Sequence, residues 1–178
     1  MRALVISGGG SKGAYAGGVA QYLMQEGGRE YDMFLGTSTG SLLIPHLAAG
    51  KIHKIHKVFT NVKQSNIFSV SPFIHRKKDN REFVSINFFN TLIQFAKRKR
   101  TFGESKALLR YLKRNFTEEE FNYIRATRED VVVTVSNLSK NRIEYKSIKD
   151  CTYDEFSNWI WISCNYIPFH VFGNSRWF

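Results

Sequence analysis

The sequence is poor in cysteine. Cys151 and Cys164 are the only two among 178 residues, and they form neither a close pair nor a Cys/His cluster at metal-ligand spacing. This excludes a disulfide scaffold and a cysteine-based metal centre. We therefore expect a protein of a reducing compartment, with no metal site and no cofactor.

Long hydrophobic runs are also lacking. No segment approaches the roughly 20 apolar residues that a membrane-spanning helix needs. The apolar run that follows Arg2 is too short for the core of a signal peptide. The sequence therefore predicts a cytoplasmic protein whose contact with membranes, if it makes any, is peripheral.

Acidic residues are scarce as well. The 15 Asp and Glu residues face 26 Lys and Arg residues, which gives a formal net charge of +11. Basic residues cluster at 75–78 and 97–100, and such clusters attract polyanions. We expect contact with anionic membranes rather than with nucleic acid. An ordinary solvated basic surface is the alternative, and the oligomeric state stays open.

The remaining composition, 43% apolar and 15% aromatic, predicts one folded domain over residues 1–178. Residues 2–6 and 31–35 are short apolar runs typical of parallel strands buried on both faces. Between them, Tyr15, Val19 and Leu23 recur at helical spacing. A strand, a helix and a second strand form a βαβ unit, so we predict an α/β fold.

Local signals mark further elements. Thr117 and Thr152 each precede a Glu by three residues, which is the spacing of a capping box at a helix start. Residues 131–135 and 142–145 flank a polar turn and predict a β-hairpin.

Two regions are predicted only coarsely. We expect residues 39–62 to be helical with breaks at Pro45 and Gly50, and residues 64–100 to form a long insertion of mixed helix and loop.

A glycine-rich loop, "SGGGSKG" (residues 7–13), follows the first predicted strand. It is not a Walker phosphate loop, because Lys12 precedes Gly13 instead of following it. Gly8, Gly10 and Gly13 do fit the G-x-G-x-x-G fingerprint of dinucleotide-binding folds. However, Asp32 precedes the second strand, whereas the ribose-binding acid should end it. A dinucleotide-binding module therefore stays an alternative.

The second strand leads into Gly36-Thr37-Ser38-Thr39-Gly40, the G-x-S-x-G pattern of a nucleophile elbow. In such an elbow the serine lies on a sharp turn between a strand and a helix, and a Cβ at either glycine would clash. The helix N-terminus favours developing negative charge. Parallel strands bring both loops to one edge of the sheet, where α/β folds bind ligands.

At these residues, "ALVISGGGSKGAYAGGVAQYL" and "FLGTSTGSLL", the sequence resembles the bacterial type of the patatin-like phospholipase family. The match is close over residues 3–47. It is looser at "SNIFSVSPF", "VVVTVSNLSKNRIEYKS" and "WISCNYIPF". The resemblance implies a three-layer sandwich with a mostly parallel central sheet and helices on both faces.

The resemblance also implies hydrolysis of lipid or phospholipid esters by a Ser-Asp dyad. Ser38 would be the nucleophile, and the backbone N–H groups of Gly8, Gly9 and Gly10 would form the oxyanion hole. The supporting motif residues would be Lys12, Gly13, Gly36 and Gly40, with Lys12 facing solvent.

The sequence departs from the family pattern at the general base. The family aspartate lies in an Asp-Gly-Gly or Asp-Gly-Ala motif, which this chain lacks, and no acidic residue follows Glu155. We therefore expect a domain that ends before this motif and has poor activity. None of the aspartates present, which are Asp32, Asp79, Asp130, Asp150 and Asp154, has the right neighbours.

Two alternatives to the dyad remain. Ser38 could act with an internal aspartate and His170, in the chain order of α/β-hydrolases. The protein could also be a non-catalytic relative that binds lipid. The other histidines are expected at the surface: His46, His53, His56 and His75.

Overall fold

A computed structural model describes residues 1–78, 81–98, 104–128 and 130–165. The strands are β1 (Ala3–Ile6), β2 (Met33–Thr37), β3 (Phe73–Lys78), β4 (Arg81–Ile86), β5 (Asp130–Asn137) and β6 (Arg142–Ser147). The helices are α1 (Gly13–Gln25), α2 (Thr39–Ala48), α3 (Ile52–Thr60), α4 (Gln64–Ile67), α5 (Phe88–Ala96), α6 (Lys106–Asn115), α7 (Glu118–Thr127) and α8 (Tyr153–Ser163). Short 3₁₀ turns lie at Gly10–Lys12 and Ile148–Asp150.

The main sheet has the strand order β1-β2-β5-β6. The first three strands are parallel, and β6 runs antiparallel to β5. Ile6 pairs with Gly36, and Gly36 pairs with Val133, so the carboxyl ends of β1, β2 and β5 lie at one edge. This mostly parallel sheet with its helices confirms the predicted α/β fold.

The core is centred on β5. All five residues 131–135 of this strand are buried. Because neighbouring side chains of a strand point to opposite faces, both faces of β5 are covered. Helices α2 and α8 pack on this strand. Phe34 of the adjacent β2 is completely buried.

Strand β1 differs from its prediction. We expected it to be buried on both faces, but Val5 is 63% exposed and Ala3 is also exposed. Among the described strands, β1 lies at one edge of its sheet and pairs with β2. The continuous apolar run therefore predicted the position of β1 correctly, but the prediction that both of its faces are buried is wrong.

Helix α1 forms where the spacing of Tyr15, Val19 and Leu23 predicts it. Tyr15 is 80% exposed and Val19 is also exposed, so these two residues do not lie on its buried face. The buried face is made of small residues such as Gly17, whose added Cβ would lie 3.0 Å from Ile55 Cγ2 and 3.2 Å from Leu43 Cδ2. Close packing against α2 and α3 thus leaves little room for a side chain at Gly17, whereas Tyr15 and Val19 point outward.

Both predicted capping boxes are confirmed, with Thr117 and Glu120 at α7 and with Thr152 and Glu155 at α8. The hairpin of β5 and β6 is confirmed as well. These features depend on residues that are neighbours in sequence, and this explains why they could be predicted.

The predicted break at Gly50 is confirmed, since α2 ends at Ala48 and Gly50 has a φ of 69°. The predicted break at Pro45 is wrong, because α2 continues through it. Nine of the ten residues of α2 are buried. Tertiary packing of this kind stabilises a helix despite the backbone hydrogen bond that proline removes.

The chain divides into two compact units. The first includes Met1–Asn61 and Leu112–Cys164, and the second includes Val62–Tyr111. In the second, β3 and β4 form an antiparallel hairpin with Phe73 opposite Ile86. The sequence analysis did not find this hairpin, because its strands lack a regular apolar alternation. The single domain expected over residues 1–178 stays a prediction.

Within the described residues, no helix has the length and apolar character needed to cross a membrane.

Candidate active site

Ser38 lies between the end of β2 and the start of α2, on a turn with unusual backbone angles. Its φ is 52° and its ψ is −120°. Non-glycine residues rarely adopt a positive φ, and holding one there costs about 1–3 kcal/mol. Such strain is typical of a nucleophile elbow, in which the serine hydroxyl is lifted away from the backbone.

The two glycines of the elbow lie against neighbouring backbone. A Cβ added to Gly36 would lie 2.6 Å from the carbonyl carbon of Gly40. A Cβ added to Gly40 would lie 2.1 Å from the carbonyl oxygen of Ile6. Neither position has room for a side chain, because the chain turns tightly and passes close to the end of β1.

The glycine-rich loop lies next to this elbow. A Cβ added to Gly8 would lie 2.9 Å from Ser38 Cβ and 3.6 Å from Ser38 Oγ. The Thr39 hydroxyl donates a hydrogen bond of 2.9 Å to the Gly10 carbonyl. A Cβ added to Gly13 would lie 2.0 Å from Thr39 Cγ2. The parallel register of β1 and β2 thus brings together two loops separated by about thirty residues.

Within the loop, the residue with left-handed backbone is Gly10, with a φ of 57°. Gly9 has an extended φ of 178°, and its carbonyl accepts a hydrogen bond of 3.1 Å from the Lys12 N–H. The Lys12 side chain is exposed. The loop leads directly into α1 at Gly13, so the N-terminal ends of α1 and α2 both lie at the site and favour negative charge there.

Sequence analysis did not find Ser163, which holds the elbow from the end of α8. The Ser38 N–H donates a hydrogen bond of 2.8 Å to Ser163 Oγ. The same hydroxyl donates a hydrogen bond of 2.8 Å to the Thr134 carbonyl of β5. Ser163 therefore bridges the elbow and the central strand.

Cys164 contacts the carbonyl group of the same serine. Its thiol donates a hydrogen bond of 3.2 Å to the Ser38 carbonyl, which also accepts one of 2.5 Å from Ser41 Oγ. Burial raises the pKa of the Cys164 thiol to about 12. The only sequence signal for Ser163 and Cys164 was the resemblance of "WISCNYIPF" to a family landmark, which assigned them no role.

The described aspartates lie away from Ser38. Asp32 precedes β2 and Asp130 begins β5, so both lie at the amino end of the parallel strands. At about 3.3 Å per residue, Asp32 is roughly 20 Å along the strand from Ser38. Asp154 lies in the first turn of α8, at the opposite end from Ser163.

Asp150 precedes α8, in the 3₁₀ turn that follows β6. Asp79 and His170, which the sequence analysis also considered, lie outside the described residues. Within the described part of the chain, no group of three His, Cys, Asp or Glu side chains could hold a metal ion.

The prediction that His46 lies at the surface is wrong. It lies in α2 and is 2% exposed, because α2 is buried on nearly all sides. Burial is the main cause that lowers the pKa of His46 to about 4. The nearby Glu120 carboxylate opposes this shift, and Lys54 and Lys51 add to it. Among the described atoms, His46 Nδ1 has no hydrogen-bond partner.

Glu120 is a second buried ionisable group, 3% exposed. Burial alone would raise the pKa of this carboxyl. Hydrogen bonds from Lys54, from the Thr117 backbone and from Lys51 outweigh that effect and lower the pKa to about 2. The Lys51 ammonium lies 3.0 Å from Glu120, and that of Lys54 is also in direct contact. This cluster joins α3 to α7 and stabilises the fold rather than contacting Ser38.

Comparison with known proteins identifies the family. A search of curated proteins gave no match. The family model described as "Patatin-like phospholipase" matches residues 4–177, nearly the whole chain. The match includes both glycine motifs and the segment that contains Ser163. The chain therefore belongs to the patatin-like phospholipase family.

Proposed function

We propose that this protein is a serine acyl hydrolase that acts on lipid or phospholipid esters, with Ser38 as its nucleophile. Membership in the patatin-like phospholipase family suggests lipid hydrolysis. The observation that carries the residue assignment is the strained backbone of Ser38, whose side chain lies against Gly8 of the glycine-rich loop.

In the proposed reaction, Ser38 Oγ attacks the ester carbonyl and forms a tetrahedral intermediate. The negative charge on the former carbonyl oxygen is stabilised by the backbone N–H groups of Gly8, Gly9 and Gly10. Loss of a single donor of this kind typically costs about a hundredfold or more in rate. A glycine-rich backbone suits this role because an acyl group can approach it closely.

The hydroxyl proton of Ser38 must pass to a general base during this attack. The base implied by the family, the aspartate of Asp-Gly-Gly or Asp-Gly-Ala, does not occur in this sequence. Help from a general base is typically worth about 10² to 10⁴ in rate. We therefore expect the 178-residue chain to hydrolyse simple esters slowly.

The assignment of Ser38 is tested with a fluorophosphonate probe and with hydrolysis of a short-chain nitrophenyl ester. Ser38→Ala should abolish both signals, because no nucleophile remains. Ser139→Ala, which changes an exposed serine in the turn after β5, is the matched control and should keep them. Labelling that persists in Ser38→Ala would contradict the proposal.

The general base is tested by comparing this chain with one extended through an Asp-Gly-Gly segment. The extended chain should gain about 10² or more in ester turnover, and its Asp→Asn variant should lose that gain. Rapid, Ser38-dependent turnover by the unextended chain would instead point to an internal base, such as one of the aspartates or His170.

A non-catalytic, lipid-binding relative is the second candidate, because the described aspartates lie far from Ser38. It predicts binding to lipid vesicles without probe labelling. The dinucleotide-binding alternative loses support, since Asp32 accepts a hydrogen bond of 2.6 Å from the Arg2 N–H at the amino end of β2. Its test is a titration with NAD.

A further inference from the structure

Helix α5 in the second unit exposes its apolar side chains. Phe88, Phe89 and Leu92 are 77%, 72% and 68% exposed. Phe95 is also exposed, one turn beyond Leu92. Positions 88, 92 and 95 follow helical spacing and lie on one face, with Phe89 beside them. This stripe, together with Phe89, is called the α5 apolar face.

The buried and half-buried side of α5 is mostly polar, with Ile93 as its apolar member. Gln94 is 3% exposed. The Asn90 side chain donates a hydrogen bond of 3.0 Å to the Ser71 carbonyl, and Thr91 is half-buried. The helix is therefore oriented opposite to an ordinary surface helix, in which the apolar side faces the core. An apolar surface of this kind marks an interaction site.

The neighbouring hairpin continues this pattern. All residues of β4 are exposed, including Phe83 and Val84. The register places Phe83 opposite Arg76 and Val84 opposite His75. On one face of this exposed ribbon, Phe83 therefore lies with the basic residues Arg76 and Arg81.

Exposed basic residues lie on the hairpin beside the apolar side chains and directly after α5 in sequence. They are Arg76, Lys77 and Arg81 on the hairpin, and Lys97 and Arg98 directly after α5. Among the described residues of this ribbon, the acidic one is Glu82, which lies opposite Lys77. Among the described residues of the hairpin and α5, positive charge therefore predominates.

We propose that the α5 apolar face and the β3–β4 hairpin form a docking surface for anionic lipid bilayers. Phe88, Phe89 and Leu92 enter the boundary between headgroups and acyl chains, as in interfacial helices. The basic residues contact anionic headgroups, where each strengthens binding about fivefold. Exposed aromatic side chains together with an excess of exposed basic residues are the combination by which interfacial helices bind anionic membranes.

This docking surface is a binding site separate from the proposed chemistry at Ser38. The Ser38→Ala variant should therefore bind vesicles as well as the unmodified chain does. Failure of vesicle binding would leave the serine hydrolase proposal intact, and failure of probe labelling would leave the docking proposal intact.

The test measures co-sedimentation of the full chain with phosphatidylcholine vesicles, with and without phosphatidylglycerol. Binding should rise with phosphatidylglycerol and fall with added salt, because contacts beyond roughly 10 Å are screened at about 0.1 M. The double variant Phe88→Ser/Leu92→Ser should bind at least tenfold more weakly. The matched control Tyr15→Ser/Tyr22→Ser changes two exposed aromatic residues of α1 and should bind normally.

A second pair of variants tests the charges without altering the apolar face. Arg76→Gln/Arg81→Gln changes two exposed basic residues on the hairpin face that carries Phe83, and it should weaken binding to phosphatidylglycerol vesicles about tenfold or more. Lys57→Gln/Lys140→Gln removes the same net charge elsewhere and should have little effect. Circular dichroism and urea midpoints establish that each variant is folded. If Phe88→Ser/Leu92→Ser does not fold, the proposal is tested by the variants that remove basic residues and by the salt dependence of vesicle binding.

Two outcomes would overturn the proposal. One is equal binding by the unmodified chain to vesicles with and without phosphatidylglycerol. The other is a concentration-dependent dimer that Phe88→Ser/Leu92→Ser dissociates while vesicle binding stays unchanged, since a second copy of the chain would then occupy the face.

Discussion

The backbone of Ser38 is held in a conformation that a free serine avoids. Its carbonyl accepts hydrogen bonds from Ser41 and Cys164, and its N–H donates to Ser163. These contacts fix the backbone angles φ and ψ of the residue that carries the nucleophile. These contacts therefore offset the strain energy of the Ser38 backbone. Single substitutions at these residues should change the stability of the protein.

Replacing Ser38 by glycine should relieve this strain, because glycine tolerates a positive φ. We expect Ser38→Gly to be more stable than Ser38→Ala by about 1 kcal/mol, since alanine keeps the strained backbone. Urea denaturation of the two variants measures the difference. Equal stability would show that the turn is not strained in solution.

Removing the Ser163 hydroxyl should take away the part-buried hydrogen bond of the Ser38 N–H, which costs about 1 kcal/mol. If Ser163 positions Ser38, Ser163→Ala should slow fluorophosphonate labelling by about tenfold, and Ser163→Thr should restore part of the rate. Ser136→Ala, an exposed serine of β5, is the control. A loss of stability with an unchanged labelling rate would assign Ser163 a structural role only.

At the scale of elements, the close approach of the glycine-rich loop to the elbow should be sensitive to a single methyl group. Gly8→Ala would place a Cβ 2.9 Å from Ser38 Cβ, so we expect loss of most probe labelling. Gly18→Ala in α1 meets no atom within 4 Å and is the matched control. It should stabilise the helix slightly and keep labelling. Full labelling of Gly8→Ala would place this loop away from the chemistry.

Elements could be predicted from the sequence where their signals are local. The capping boxes at Thr117 and Thr152 and the hairpin of β5 and β6 each depend on residues close together in the chain. The spacing of Tyr15, Val19 and Leu23 predicted helix α1 but not its buried face, because Gly17 packs against Leu43 and Ile55, which lie far away in sequence. Likewise, Ser163 contacts Ser38 only after the sheet has formed.

At the scale of the whole molecule, the buried ionisable groups should make stability depend on pH. The pKa of His46 is lowered to about 4 from 6.5. The unfolded chain therefore binds a proton more readily than the folded protein does. His46 stabilises the fold fully above pH 6.5, and this stability is lost as the pH falls toward 4.

We therefore expect the free energy of unfolding to fall by about 2 kcal/mol between pH 7 and pH 5. His46→Gln should lack most of this dependence, whereas His53→Gln, which changes an exposed histidine, should keep it. Urea denaturation at both pH values measures the effect. A similar pH dependence in His46→Gln would assign it to other groups.

The pKa of Glu120 is lowered to about 2 from 4.5. Its effect on stability therefore lies at a lower pH than that of His46. Its contribution is present above pH 4.5 and is lost as the pH falls from there toward 2. The contributions of His46 and Glu120 to the free energy of unfolding can therefore be measured in different pH ranges.

The bridge from Ser38 to Ser163 also determines when the site can form. The two residues are 125 positions apart, and Cys164 is 126 positions from Ser38. Closing so long a loop is slow compared with forming local helices and hairpins. During refolding, helical circular dichroism should therefore return first, and fluorophosphonate labelling should return later, together with protection of the Cys164 thiol from alkylation. The nucleophile would thus acquire its final geometry among the last events of folding, and a nascent chain would lack the hydrogen bonds that hold Ser38 until residue 164, at the end of α8, had packed against it.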